Sequence, residues 1–240
     1  MAAPSDKLAS SLAFLKSLQD RGRVAIRASD LTRTHRERLL RSGFLQEVMK
    51  GWYVPARPDE PPSESSAWYA SFWGFVADYL AERFGTDWCL SPEQSLSLHA
   101  GDWTVPKQLL VRTPKGGNKP TELLHGTSIF DTRLELPAAK DKELNDGLRV
   151  MTLPAALIAC GPGQFVARPN ETRAALSMVP DASVVLSSLL DGGHSKIAGR
   201  LAGAFRNIGR DRIADRILET MRSAGFTVQE SDPFEDEARG

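Results

Sequence analysis

The sequence predicts an α+β protein, with an N-terminal winged helix-turn-helix followed by a mixed α/β domain whose C-terminal part is helical. Three observations carry this class. Over the first 55 residues or so, the apolar spacing runs helix, short strand, helix, helix, hairpin. A proline-rich stretch, Pro58-Asp-Glu-Pro-Pro-Ser-Glu-Ser-Ser66, then interrupts every period. Short β-rich runs follow, and from Thr152 onward the pattern is helical.

In the front segment, Leu8, Leu12, Leu15 and Leu18 recur at helical spacing over 6–19, and the helix runs out near Gly22. Val24-Ala25-Ile26 reads as a short strand. Ser29 is placed to cap a brief second helix, and Thr34 with Glu37 three places on makes a capping-box pattern for a third that stops before Gly43. Phe44–Val48 and Trp52–Val54, joined through Met49-Lys50-Gly51 and stopped by Pro55, form a hairpin. The organisation expected is a winged helix-turn-helix over 1–57, a linker over 58–66, a second domain over 67–228 and an acidic tail over 229–240 that frays in solvent.

The second domain opens on 67–84, where Trp68, Tyr69, Phe72, Trp73, Phe75, Val76, Tyr79 and Phe84 put aromatic surface on more than one side of a helix. Ser91, Pro92 and Gln94 supply an N-cap, a first-turn proline and a capping partner, so 92–100 is helical up to Gly101. The β-rich runs 108–112, 127–136 and 148–151 suggest a small sheet. Thr152 and Pro154 start a helix that stops at Gly161, and further helices are expected over 171–178, 181–190, 195–207 and 212–224. In the third of these, Ile197, Leu201, Ala204, Phe205 and Ile208 make an apolar stripe beside the small residues Ala198, Gly199, Ala202 and Gly203.

Composition narrows the function. With 240 residues, 41% apolar, 25% charged and 8% aromatic, the chain has enough apolar material for a core and is not a disordered polyelectrolyte. No apolar run approaches the roughly 18 residues of a membrane span. Residues 1–7 lack a basic start followed by an apolar stretch, so a cytoplasmic location is expected. Cys89 and Cys160 are too far apart and too few for a disulfide framework or a Cys-rich zinc site. The net charge of zero hides an asymmetry: residues 1–58 carry +6 and the remainder −6. A basic front suits a polyanion.

No catalytic constellation emerges. His35, His99, His125 and His194 are scattered without ligand spacing, so neither a metal nor a cofactor is expected. Gly161-Pro-Gly163 follows a helix rather than a strand and reads as a helix stop instead of a dinucleotide loop. The segment 114–120, Pro-Lys-Gly-Gly-Asn-Lys-Pro, lacks the Lys-Ser/Thr of a phosphate loop and reads as a solvated hairpin loop. What remains is the helix ending at Ser42. If Leu39 and Leu40 define its buried side, Thr34, Glu37, Arg38 and Arg41 point outward, with Arg33 at its start and Arg36 near the core edge, reaching backbone rather than bases. Lys50 sits at the wing tip. These seven residues are the candidate contacts to double-stranded DNA. A second basic cluster, Lys196, Arg200, Arg206, Arg210 and Arg212, suits an acidic protein surface, more DNA or plain solvation.

The order of features resembles the AbiEi-like antitoxin family of type IV toxin–antitoxin systems. The resemblance is carried by Gly43–Pro55, by Leu90–His99 and by Arg149–Leu157. Gly199–Arg210 also looks like the segment preceding the catalytic domain in some Fic-domain proteins, although Asp232-Pro-Phe-Glu235 lacks the histidine and glycines of a Fic loop. The resemblance implies a non-enzymatic repressor that binds inverted repeats at its own promoter and opposes a cognate toxin. The alternative it leaves is a non-catalytic regulatory module for a Fic-type or nucleotidyltransferase partner, with little DNA binding.

Overall fold

The computed structural model describes residues 4–59 and 65–235, and these form an α+β fold. The elements are α1 (Pro4–Gln19), β1 (Ile26–Arg27), α2 (Arg33–Arg41), β2 (Leu45–Met49), β3 (Trp52–Pro55), α3 (Ser66–Phe84), β4 (Cys89–Leu90), α4 (Pro92–His99), β5 (Gln108–Thr113), β6 (Pro120–Glu122), β7 (Ser128–Arg133), β8 (Lys142–Asn145), β9 (Leu148–Met151), α5 (Leu153–Ala159), α6 (Gly163–Ala167), α7 (Pro169–Ser177), α8 (Ser183–Asp191), α9 (Ser195–Asn207) and α10 (Asp211–Ser223). Among the described residues no helix is long and apolar enough to cross a membrane.

The chain divides into two compact units, one of Met1–Trp88, Val105–Leu136 and Asn145–Leu148, the other of Cys89–Thr104, Pro137–Leu144 and Arg149–Gly240. The aromatic helix α3 therefore groups with the front residues, whereas its place after a proline-rich stretch suggests the head of the second domain. The linker expected over 58–66 falls largely on 60–64, outside the described residues.

In the first unit, β3 is the middle strand of an antiparallel sheet in the order β1-β3-β2, with Ile26 opposite Tyr53 and Gln46 opposite Val54. Leu15 and Leu18 of α1 and Leu39 of α2 close on Ile26, Leu31, Leu45 and Tyr53 to make its core. The brief helix expected at Ser29 is a single 3-10 turn, Ala28–Asp30, closed by the Asp30 carboxylate, which accepts from the Arg27 amide at 2.8 Å. Helix α3 is fastened to this layer. The Asp78 carboxylate accepts from the amides of Val24 and Ala25 at 2.8 and 3.0 Å, and Trp52 meets Tyr79 edge-on at 5.1 Å. Gly74 allows the approach, since a Cβ there would lie 2.7 Å from a Val24 methyl.

The same unit holds β5, β7 and β6, with β7 between a parallel β5 and an antiparallel β6. The loop 114–119 is thus no hairpin between neighbouring strands: it leaves β5, skips the place of β7, and enters β6. Leu109, Val111 and Ile129 fill the buried face. Asp131 shares that face and is almost wholly buried; it pairs with Arg83 at 2.8 Å and accepts from the Gly117 amide at 3.2 Å.

In the second unit, the Ser91 hydroxyl caps α4 by accepting from the Gln94 amide, as the Ser-Pro-Glu-Gln run predicts. Helix α10 buries Ile213, Ala214, Ile217, Leu218 and Met221 along one stripe. The small residues of α9 are buried under residues 229–232, whose backbone lies directly on Gly199 and Gly203. This corrects the expectation that the acidic segment frays in solvent: 229–232 are seated on α9, Phe234 packs against Phe165 and Arg173, and 236–240 lie outside the described residues.

Candidate nucleic-acid interface

Helix α2 begins earlier than the Thr34–Glu37 pattern suggests. Thr32 is the N-cap, its hydroxyl accepting from the His35 amide at 3.3 Å, so Thr34 lies inside the first turn. Gly43, at φ +72°, takes the chain out of the helix in a conformation costly for other residues. Leu39 is fully buried and anchors the helix.

Around that anchor the seven expected residues separate. Arg33, Thr34, Glu37 and Arg41 are exposed on α2, and Lys50 is exposed at the turn between β2 and β3. Arg36, expected to reach the DNA backbone rather than bases, instead donates to the protein's own Ala28 carbonyl at 3.1 Å. Arg38 does not point outward. Its guanidinium donates to the Lys7 carbonyl at 2.7 Å and to the Ser11 hydroxyl at 2.8 Å, fastening α2 to α1. His35 turns the same way, with Nδ1 2.9 Å from the Ser11 hydroxyl and its ring stacked on Phe14 at 5.5 Å. The cause is the placement of α1, which covers the His35 and Arg38 flank of α2 that a helical wheel centred between Leu39 and Leu40 assigns to solvent.

The exposed face is cationic but partly self-neutralised. Arg33 and Glu37 pair at 2.6 Å, and the Arg33 guanidinium, helped by Arg36 and Arg41, holds the Glu37 carboxyl below its ordinary range. Arg41 and Lys50 make no hydrogen bond or ion pair among the described residues, so theirs are the charges most available to an anion. The wing turn is stiffened from within: the Glu47 carboxylate accepts from the Gly51 amide at 3.3 Å, and the Gly51 carbonyl accepts from the Ala28 amide at 2.9 Å. Gly51 adopts φ +82°, which this tight turn requires.

The other motifs have structural partners. In the glycine loop, Lys115 pairs with Asp87 at 2.8 Å, and the Gly116 and Gly117 amides donate to Thr113 and Asp131, which leaves no cradle of free amides for a phosphate. Three of the five residues of the rear basic cluster are committed. Arg200 donates to the Cys160 carbonyl at 2.9 Å, Arg206 pairs with Asp211, Asp215 and Glu230, and Arg210 donates to the carbonyls of Ser177, Val179 and Pro180. Lys196 and Arg212 are exposed. Among the described residues no group of three or more His, Cys, Asp or Glu could hold a metal ion. Asp78, which fixes the front layer to α3, carries no sequence signal of its role, because its partners are backbone amides more than fifty residues away.

No protein-family profile matches the chain, and no curated protein matches it. Among solved structures it is similar to the RV2827C protein from Mycobacterium tuberculosis, with a TM-score of 0.54 and 17% identity over 91% of this chain and 82% of that one. At that identity the likeness is one of fold.

Proposed function

We propose that residues 4–55 are a winged helix that reads double-stranded DNA, with α2 in the major groove and the β2–β3 turn as the wing, and that the chain is a cytoplasmic, non-enzymatic repressor and antitoxin acting at its own promoter. The observation that carries this reading is the placement of Arg33, Thr34, Glu37 and Arg41 on one exposed face of a capped helix, with Lys50 at the tip of the adjoining hairpin, in a front segment of charge +6. Arg41 is the best candidate for a bidentate contact to guanine, and Lys50 for a phosphate. Thr34 and Glu37 extend the face toward neighbouring bases, while Arg36 and Arg38 hold the helix in position. A regulatory module that binds only a protein partner is the second reading, favoured by the Arg33–Glu37 pair, which spends one of the exposed cations within the helix.

The test is a titration of the chain against its own upstream promoter duplex and a scrambled duplex at two salt concentrations. DNA reading predicts tighter binding to the promoter and a log–log salt slope of about −0.9 per phosphate neutralised. Arg41→Ala is expected to cost roughly 1–3 kcal/mol on the promoter, and Lys50→Ala to weaken both duplexes alike and flatten the slope by about one phosphate. Arg38→Ala separates the roles: it lowers folding stability by about 1–2 kcal/mol through its lost hydrogen bonds. Equal, weak, salt-insensitive binding to both duplexes rejects the DNA reading in favour of the protein-partner module.

A further inference from the structure

Residues 229–232 lie on α9 in the manner of a bound peptide, and Phe234 beyond them packs against Phe165 of α6 and Arg173 of α7. The Gln229 and Ser231 carbonyls rest where side chains on Gly199 and Gly203 would stand, so this length of α9 is a groove floored by glycine backbone. The Ser231 amide donates to the Gly199 carbonyl at 3.3 Å. Along the groove the alternate side chains meet a series of complementary groups. The Arg206 fork takes both oxygens of Glu230, at 2.6 and 3.2 Å, and the Asn207 amide donates to Asp232 at 2.7 Å. Phe234 sits under the Arg173 guanidinium at 4.2 Å and edge-on to Phe165 at 5.4 Å. Glutamate, aspartate and phenylalanine at every second position are thus each recognised, while Gln229 and Ser231 are exposed.

The attachment is shallow. Of residues 226–235 only Val228 is buried, and the segment adds no strand or helix to the fold. From Gln229 onward it is held by ion pairs and hydrogen bonds at partly exposed positions and by the Phe234 clamp, contacts that open locally more readily than a buried strand or helix. What lies beneath is better built than its occupant: two buried glycines, a planar cation already surrounded by carboxylates, and a cation–aromatic clamp.

We propose that this groove is a recognition site for an extended acidic segment of a partner protein, with Glu, Asp and an aromatic residue at alternate positions, and that residues 228–235 occupy it as a displaceable ligand in cis. The cis segment acts as a competitor at high effective concentration, so a partner segment binds with its intrinsic affinity multiplied by the fraction of open grooves. This site is independent of the DNA reading and adds a second surface to it.

The probe is a fluorescent synthetic peptide of residues 226–235, titrated into the full chain. Weak binding to the unaltered protein is expected, and Phe234→Ala, which removes the aromatic anchor of the cis segment, should tighten apparent peptide affinity by up to about tenfold. Glu230→Gln, at a half-buried position, should act in the same direction and guards against a folding defect in the first variant. Adding Arg206→Ala to either should abolish the gain, and a scrambled peptide should not bind. If the peptide binds neither the unaltered chain nor the two folded variants, the segment is a fixed part of the fold and the proposal is wrong.

Discussion

Burial sets the chemistry of Cys160. Its thiol is 1% exposed, donates to the Leu157 carbonyl, and is pushed up to about 11 by burial against the opposing pull of Arg200. The native state therefore keeps its proton at a pH where the unfolded chain has lost it. The stability this gives is complete below the ordinary value of 9.0 and is lost as pH rises toward about 11. Urea midpoints should fall between pH 8 and 10.5, and the fall should be smaller in Cys160→Ala; an unchanged fall assigns the alkaline sensitivity elsewhere. Thiol burial is legible from composition alone, because lone cysteines in an apolar context are usually core residues. Arg38 shows where such legibility stops. Its type and spacing match Arg41, yet one serves α1 and the other faces solvent, and only the position of a separate helix distinguishes them. The sequence pattern thus anticipated the exposure of Arg41 and Lys50, but not the intramolecular bonds that hold Arg36 and Arg38.

At the scale of the element, the loop between β5 and β6 is governed by Gly116. A Cβ there would lie 2.6 Å from the backbone of Thr132 and Arg133, whereas at Gly117 the nearest atom is 3.7 Å away. Gly116→Ala should cost about 1–3 kcal/mol by forcing backbone apart, and Gly117→Ala should stay within about 0.5 kcal/mol. Chemical denaturation of the two variants checks this, and equal costs would show that the loop yields. Elements with strong end signals were the most legible. Ser91-Pro92 placed the start of α4 correctly, and α9 has the bounds its apolar stripe implied. The unread elements are short and owe their form to neighbours. Strand β6 begins at Pro120, a residue that argues against a strand, and exists because β7 offers it an edge. The parallel pairing of β5 with β7 leaves no local period, since nothing in either run names its partner. At α2, two threonines compete for the cap, and Thr32 rather than Thr34 makes the bond.

At the scale of the molecule, the front layer is held by a residue outside it. Asp78→Ala would leave the Val24 and Ala25 amides without their acceptor, at a cost of about 1–3 kcal/mol. Hydrogen exchange should show protection lost first in β1 and β3, and lost DNA affinity should accompany it if the winged-helix reading is right; uniform loss across the chain would mean that α3 and the front layer open together with everything else. Charge alone marks the basic front, whereas the domain boundary expected at 58–66 is no boundary between the two compact units, since the first runs from Met1 to Trp88. Composition did not foretell that α3 sides with the front, because a proline-rich stretch marks an irregular path and says nothing about which surfaces meet across it. Nor does an acidic composition reveal a segment laid on glycine. The first unit's discontinuity bears on how the protein is made. The unit's last segment is Asn145–Leu148, so the ribosome must add some 64 residues after Phe84 before the unit can close, a wait of roughly 3–13 s at ordinary rates of synthesis. For most of that interval α3 has its contacts with the front layer but Trp68 and Arg83 lack Thr127 and Asp131, which leaves part of an aromatic helix open to chaperones.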